Sequence, residues 1–224
     1  MNHLLRRAWA PATLLLAVGL GAGPTPSSAA VVLGASQGFA SSFNAPFAIE
    51  NTYDQSGLSL GYVSGSTDFD SYLASGPTHA ADGINVWVST PGDAAPVITH
   101  DLGAMFMTSA ASVWVADYLP PALADFWGSP DGAAWVLLDD DVALLAPGVG
   151  VDAPAQLVSW APQAMRYLQM RMTCRPNDDA CGIGEIAVRG EIAEISEPGS
   201  LAMLLLAGAA LGWQRRGHSP RSLA

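Results

Sequence analysis

The middle of the chain is predicted to be an all-β domain, a β-sandwich or a barrel. Short runs rich in β-branched and aromatic residues recur along it, and turn signals separate them. Long helical patterns are absent from this part of the sequence. Strands at this spacing are typical of sandwiches and barrels.

Seven runs are predicted to be strands, and they are Val97–Asp101, Ser112–Val115, Asp125–Gly128, Trp135–Leu138, Val142–Leu145, Arg166–Thr173 and Glu185–Arg189. Three turn signals lie between them, and they are Pro130-Asp131-Gly132, Ala146-Pro147-Gly148 and Pro176-Asn177-Asp178. Asp131-Gly132 is expected to turn a hairpin, and Asp101-Leu102-Gly103 to end a strand. The earlier segment, Gly38–Thr78, is richer in Gly and Ser, and there we expect mostly loops with one or two strands.

The run Arg166–Met172 shows how one strand lies in the sheet. Apolar and other residues alternate, so Leu168, Met170 and Met172 share one face. Tyr167, Gln169 and Arg171 share the opposite face. The apolar face is predicted to belong to the core.

The charge of the chain excludes several classes of partner. All 20 acidic residues lie between Glu50 and Glu197, only four arginines oppose them there, and the chain has no lysine. This excess repels phosphate backbones and anionic headgroups, so we expect no nucleic acid and no binding of the domain to a membrane surface. Neutral ligands or cations are favoured.

Both ends carry targeting patterns. Arg6 and Arg7 precede an apolar stretch, and small residues follow up to Ala30, which is typical of a secretory signal peptide cleaved after Ala30. We therefore divide the chain into a signal peptide (1–30), one exported domain (31–195) and a C-terminal signal (196–224).

The C-terminal signal resembles the PEP-CTERM sorting signal of bacterial envelope and matrix proteins. Glu197 and Pro198 precede an apolar run, Leu201–Trp213, and Arg215 and Arg216 follow it. The resemblance implies recognition by an exosortase, cleavage near Glu197-Pro198, and a transient inner-membrane tether through an apolar helix. The alternative is an ordinary C-terminal anchor, although this run is short against the roughly 20 residues that span a bilayer.

Cys174 and Cys181 are the only cysteines. An isolated pair in an exported protein is predicted to form a disulfide. A zinc site is disfavoured because no histidine lies nearby, and the spacing is not that of redox enzymes.

No catalytic set is found in the sequence, so we predict a protein that is not an enzyme. His100 alternates within a strand-like run, and no nucleophile elbow is present. Asp68 and Asp70 could serve a glycosidase, but a solvated loop or a cation site is the preferred interpretation.

The order of motifs from about residue 35 to residue 191 resembles the discoidin-like, galactose-binding-like jelly roll, also called the coagulation-factor C-type domain. The motifs are Trp87-Val88-Ser89, Ile98–Gly103, Val113-Trp114-Val115, Ser129–Gly132 with Trp135, Arg166–Met170 and Gly182–Val188. The sequence departs from the family in a long insert before Trp87 that contains Tyr62, Phe69 and Tyr72.

The resemblance implies one structural Ca²⁺ and a sugar-binding surface. The candidate calcium ligands are Asp54 or Asp82 together with Glu185. Trp87 and Trp127 are the candidate aromatic platforms for a sugar ring, although a core position is the commoner fate of a tryptophan.

The leading hypothesis is an exported module that binds a glycan or exopolysaccharide in the cell envelope or extracellular matrix. The second is a structural or adhesive matrix protein that recognises protein partners. The third is a hydrolase of unrecognised type.

Overall fold

The computed structural model describes residues 30–192 and shows a β-sandwich of antiparallel strands. The all-β prediction is thereby confirmed. Residues 1–29 of the predicted signal peptide and the whole predicted sorting signal, with Glu197 and Pro198, lie outside the described residues.

Residues 30–192 form ten strands and two short helices. The strands are β1 (Val31–Leu33), β2 (Gln37–Ala40), β3 (Thr78–His79), β4 (Trp87–Val88), β5 (Val97–Val115), β6 (Leu123–Ser129), β7 (Val136–Ala143), β8 (Ala153–Pro154), β9 (Gln156–Thr173) and β10 (Gly182–Ile192). A 3₁₀ helix spans Ile49–Thr52, and α1 spans Phe69–Ala74. Within the part of the chain that the structure describes, neither helix has the length and apolar character needed to cross a membrane.

Two long strands, β5 and β9, run through both layers of the sandwich. The beginning of β5 and the end of β9 pair with each other and continue through β2, β6 and β7; we call these the open layer. The end of β5 and the beginning of β9 pair with each other and continue through β10, β1 and β4; we call these the covered layer. The strand order along the main path is β1-β10-β5-β9-β6-β7.

The expectation that Asp101-Leu102-Gly103 ends a strand is wrong, because β5 continues through it to Val115. Gly103 has a φ of +83°, and the register between β5 and β9 shifts between Asp101 and Phe106. The glycine therefore marks an irregularity within β5 rather than its end, as glycine often does within strands.

An ion pair holds β5 and β9 together at this irregularity. The Nε and Nη2 of Arg166 donate to Oδ1 and Oδ2 of Asp101 over 2.8 Å each, and the Gly103 amide donates to Oδ1 over 2.8 Å. The Arg166 hydrogen bonds hold the pKa of Asp101 below its usual range. Because Asp101 lies on β5 and Arg166 on β9, the pair joins the two long strands where the register shifts.

The core lies between the two layers. Ile98, Phe126 and Met170 enter it from the open layer, and Val113 and Ile186 enter it from the covered layer. The predicted alternation of β9 is confirmed, because Leu168, Met170 and Met172 are buried while Tyr167, Gln169 and Arg171 are not.

The insert before Trp87 packs on the outer face of the covered layer. Its Tyr62, Phe69 and Tyr72 join Val32 and Trp114 in a second buried cluster. Helix α1 begins there because Asp68 Oδ1 accepts from the Ser71 amide over 2.8 Å, and Gly76 follows it with a φ of +70°. Asp70 pairs with Arg189 of β10 over 3.2 Å. The two aspartates therefore have structural roles.

The predicted disulfide between Cys174 and Cys181 is confirmed. It closes the loop between β9 and β10, and both sulfur atoms belong to buried residues at the edge of the core.

His100 anchors the 3₁₀ helix beneath β2 and gives a testable pH dependence. Its Nε2 lies 2.7 Å from Thr52 Oγ1, and complete burial lowers its pKa from 6.5 to about 4. As the pH falls through 6.5, the unfolded chain takes up a proton that the folded chain refuses, so this residue lowers the free energy of unfolding progressively between pH 6.5 and pH 4. This effect is expected to cost about 2 kcal/mol of unfolding free energy by pH 5.

Urea unfolding of the wild type and of His100→Gln at pH 7 and pH 5 measures the effect. The glutamine variant keeps a polar group near Thr52 but does not titrate, so it is expected to lose about 2 kcal/mol less than the wild type over this interval. Equal losses in the two proteins would contradict the assignment.

Candidate functional site

The outer face of the open layer carries a row of side chains that crosses all five of its strands. The row consists of Phe39, Thr99, Gln169, Trp127 and Leu137, each paired in register with the next. Residues paired directly across antiparallel strands project from the same face. The row is accessible at both ends, because Phe39 is 56% exposed and Leu137 is 43% exposed.

A cavity of about 470 Å³ lies on this face. Three aromatic rings and several polar groups surround it, and the lining residues are Phe39, Thr99, Asp131, Gly132, Trp135, Tyr167 and Gln169. We call this cavity the sheet-face pocket. Its size is in the range of small-molecule sites, and it combines apolar rings with groups that can donate and accept hydrogen bonds.

The hairpin loop between β6 and β7 contributes to the lining of the pocket, and its turn was predicted from Asp131-Gly132. Asp131 Oδ1 accepts from the amides of Ala133 and Ala134 over 2.9 Å each, which folds the loop around the carboxylate. Gly132 has a φ of +75°, and a Cβ built there lies 3.6 Å from the Tyr167 ring. The turn therefore holds the loop against Tyr167 and presents Trp135 to the pocket.

A chain of hydrogen bonds orders the polar groups on this face. Gln169 Nε2 donates to Thr99 Oγ1 over 3.1 Å, and Arg171 Nε donates to Gln169 Oε1 over 2.7 Å. The Arg171 guanidinium carbon lies 4.3 Å from the ring centre of Trp127. Gln169 is therefore held in one amide orientation, and Arg171 is stacked on an aromatic ring beside the pocket.

The two tryptophans predicted as sugar platforms have different positions. Trp87 is completely buried, and its Nε1 donates to the Ser42 carbonyl over 3.1 Å, so neither face of its ring is open to a ligand. Its place is in the core. Trp127 is half-buried on the open layer, in the same row as Gln169, with Arg171 over its ring.

Glu185 lies at the opposite side of the domain, under the beginning of the insert. It is completely buried, its Oε2 accepts from the Gln55 amide, and its Oε1 accepts from the Tyr62 hydroxyl, over 3.0 Å each. Burial raises the pKa of this carboxyl to about 8, and the charge of Asp54 contributes to the rise. The same burial and the neighbouring Glu185 charge raise the pKa of Tyr62.

Asp54 and Asp82, the two alternatives for a calcium site, differ in how their carboxylates are used. Among residues 30–192, the Ser56 amide is the one donor to Asp54 Oδ1, over 2.8 Å. Asp82 uses both oxygens on its own turn, accepting from the amides of Ile84 and Asn85 and from the Asn85 side chain. Within residues 30–192, no group of three or more His, Cys, Asp or Glu side chains is arranged to hold a metal ion.

Sequence reasoning did not identify Phe39, Thr99 and Trp135 as site residues. The alternation of β9 did place Tyr167, Gln169 and Arg171 on one face, and that was the available signal. The pocket also needs β2 and the hairpin loop, and the sequence does not show which strand lies beside which.

No family model and no curated protein matches the sequence. Several solved structures are similar to the chain. One is chitosan-binding module 1 of a chitosanase/glucanase from Paenibacillus sp. IK-5, at 16% identity over 70% of this chain and 95% of that chain, with a TM-score of 0.47.

Another is CBM32-3 from a family 31 glycoside hydrolase of Clostridium perfringens, at 12% identity over 71% of this chain and 91% of that chain, with a TM-score of 0.48. A third is a pectin-binding carbohydrate-binding module, at 10% identity over 70% and 91% of the two chains, with a TM-score of 0.47. These similarities are distant.

Proposed function

We propose that the domain is a non-catalytic module that binds a glycan in the sheet-face pocket. The observation that supports this most is the combination of aromatic rings with an ordered polar floor. Trp135, Tyr167 and Phe39 offer apolar surface, and Thr99 and Gln169 lie between them. Sugar rings present apolar C–H surfaces and hydroxyl groups together, and this pocket offers a partner to each.

The charges in the pocket favour binding over hydrolysis. Among the residues that line it in the described part of the chain, Asp131 is the sole carboxylate. Its Oδ1 is used by the amides of its own loop. Most glycosidases need an acid and a second carboxylate placed about 5–10 Å apart across the scissile bond. A module that holds the glycan without cutting it is the better fit.

A second candidate function is the recognition of a protein partner at the edge of the open layer. Strand β7 lies at one end of the strand order, and its Val136 and Leu137 are exposed. An exposed edge strand can pair with a strand of another chain. In that case substitutions on β7 would change protein binding and leave glycan binding unaffected.

Trp135→Ala and Tyr167→Ala are expected to weaken glycan binding about tenfold or more, because each removes a ring from the pocket. Isothermal titration calorimetry of the domain with the native exopolysaccharide and a panel of neutral and acidic oligosaccharides measures the change. Phe43→Ala is the matched control, because Phe43 is an aromatic residue with 58% exposure that does not line the pocket.

All variants should keep the wild-type melting temperature to within a few degrees. The proposal fails if no glycan of the panel binds the wild type, or if Phe43→Ala weakens binding as much as the two pocket variants do.

We also propose that Glu185 and Asp54 take part in a structural calcium site. Burial opposes ionisation of Glu185, and Asp54 adds a second negative charge nearby. A cation would offset both effects, and Ca²⁺ prefers oxygen ligands from carboxylates and carbonyls. Asp54 suits this site better than Asp82, because the charge of Asp54 acts on Glu185, whereas Asp82 accepts hydrogen bonds within its own turn.

Calcium is expected to raise the melting temperature of the chelator-treated domain by several degrees. A ligand that binds only the folded state at a hundredfold excess over its Kd adds about 2.7 kcal/mol. Glu185→Ala and Asp54→Asn should abolish the shift, whereas Asp140→Ala on the exposed part of β7 should leave it intact. A melting temperature that is the same with calcium and with chelator would show that the site is absent.

Export followed by sorting to the envelope or extracellular matrix is the localisation that we propose. The disulfide supports passage through an oxidising compartment. The proposal also rests on the signal peptide and the exosortase-type tail that the sequence predicts. Residues 1–29 of the signal peptide and the whole tail lie outside the described residues.

The mature protein is expected to lack the signal peptide and the segment after Glu197-Pro198, and intact mass measurement of the secreted form tests this. Cleavage after Ala30 would leave Val31 as the first residue. Ala30 itself is buried, and its carbonyl accepts from the Phe69 amide over 3.0 Å, so cleavage after Ala29 would preserve this contact. A secreted form that retains Leu201–Ala224 would refute removal of the tail.

A further inference from the structure

Arg171 is an unusual residue on the open layer. The exported part of the chain has only four arginines among its many acidic residues. Arg166 and Arg189 each pair with an aspartate. Arg171 and Arg175 form no ion pair with any carboxylate of residues 30–192. Arg171 lies on the same face as the pocket, whereas Arg175 lies in the loop after β9.

Arg171 forms no ion pair although an acidic residue lies beside it in the sheet. Asp125 lies directly across from Arg171 in the register between β6 and β9. The Asp125 carboxylate instead accepts from the Asp141 amide over 2.9 Å. The Arg171 guanidinium lies over Trp127, and its Nε donates to Gln169. The arginine is therefore directed along the row toward the pocket.

This arrangement orients the guanidinium before any ligand arrives. The contact with the Trp127 ring and the 2.7 Å hydrogen bond from Nε to Gln169 restrain the guanidinium on this face. Among the described residues, no acceptor is bonded to Nη1 or Nη2. Two parallel N–H groups on a planar guanidinium match the two oxygens of a carboxylate.

We propose that Arg171 is an anion-binding subsite beside the sheet-face pocket, and that the glycan bound there is acidic and carries the carboxylate of a uronic acid residue. This inference rests on the proposed glycan-binding function. Gln169 connects the two parts, because it lines the pocket and also bonds Arg171. One sugar residue would lie on the aromatic rings while the carboxylate of that residue or of its neighbour meets Arg171.

The spacing of the sheet agrees with a chain that runs across the strands. Phe39 and Trp127 are separated by three strand-to-strand steps, from β2 through β5 and β9 to β6. At about 4.8 Å for each step, the backbone positions of the two residues lie roughly 14 Å apart, which leaves room for a short oligosaccharide rather than a single sugar.

The acidic surface around the subsite has a consequence that can be measured. Asp125 lies across from Arg171, and Asp139, Asp140 and Asp141 lie on β7, the next strand of the sheet. Their charges repel an anionic polymer. The repulsion is longer in range than the Arg171 contact, so added salt weakens it first. Asp125→Asn removes one of these repelling charges and should strengthen the binding of a polyuronate.

The test compares polygalacturonate and polymannuronate with the same polymers after reduction of their carboxyl groups, at about 0.15 M salt, where charges are screened beyond about 8 Å. The wild type is expected to bind at least one polyuronate about tenfold or more tighter than its reduced form. Arg171→Gln should lose about tenfold to hundredfold in affinity for the polyuronate and little for the reduced polymer. The affinity of Arg171→Lys for the polyuronate should lie between those of the wild type and Arg171→Gln, because a lysine keeps the charge but not the planar guanidinium.

Arg175→Gln is the matched control. It removes the same charge from the loop after β9, outside the residues that line the pocket, and should bind as the wild type does. Melting curves of all variants check that they fold, and the comparison of acidic with reduced polymer on the wild type needs no variant at all.

Equal affinity of the wild type for acidic and reduced polymers, or wild-type affinity of Arg171→Gln for the polyuronate, would overturn the inference and leave the glycan-binding function standing. Binding of other neutral glycans with no binding of either polyuronate would have the same meaning. If no glycan of any kind binds, the proposed function itself fails.

Discussion

The pairing of β5 with β9 is the constraint on which the rest of the structure depends. Both strands are long enough to belong to both layers, so their shared register determines how the layers are joined. One of the two shifts in that register lies between Asp101 and Phe106, beside Gly103, and the ion pair of Asp101 with Arg166 holds the strands together there. A buried carboxylate held by two charge-assisted hydrogen bonds tolerates little displacement, because separation would leave its charge without a partner.

The insert covers the outer face of one layer of the sandwich and leaves the outer face of the other layer accessible. Tyr62, Phe69 and Tyr72 pack on the covered layer, and Glu185 holds the beginning of this segment through the Gln55 amide and the Tyr62 hydroxyl. The open layer keeps its outward side chains accessible. Since those side chains combine aromatic rings with an ordered polar row, the uncovered face is also the one that is chemically suited to a sugar.

The net charge of the domain and its individual arginines act on a ligand at different distances. The acidic excess repels polyanions at a distance, which disfavours nucleic acid. Short-range recognition is set by individual groups, and the cationic groups here have distinct surroundings. Arg166 and Arg189 are used in pairs that join elements of the fold, while Arg171 is stacked on Trp127 beside the pocket. A domain with a strongly negative net charge can therefore still hold a cation over an aromatic ring beside the pocket.

The sequence by itself determined the all-β class, the hairpin at Asp131-Gly132, the disulfide between Cys174 and Cys181, and the alternation of β9. Each of these follows from local chemistry: β-branched periodicity, turn residues, or an isolated cysteine pair. The tertiary structure alone decided that Trp87 is a core residue while Trp127 faces outward, and that β5 continues past Gly103. It also brought Phe39, Trp135 and Tyr167 into one pocket. These outcomes depend on which strands become neighbours and which face the insert covers, and such long-range choices leave no periodic signal in the chain.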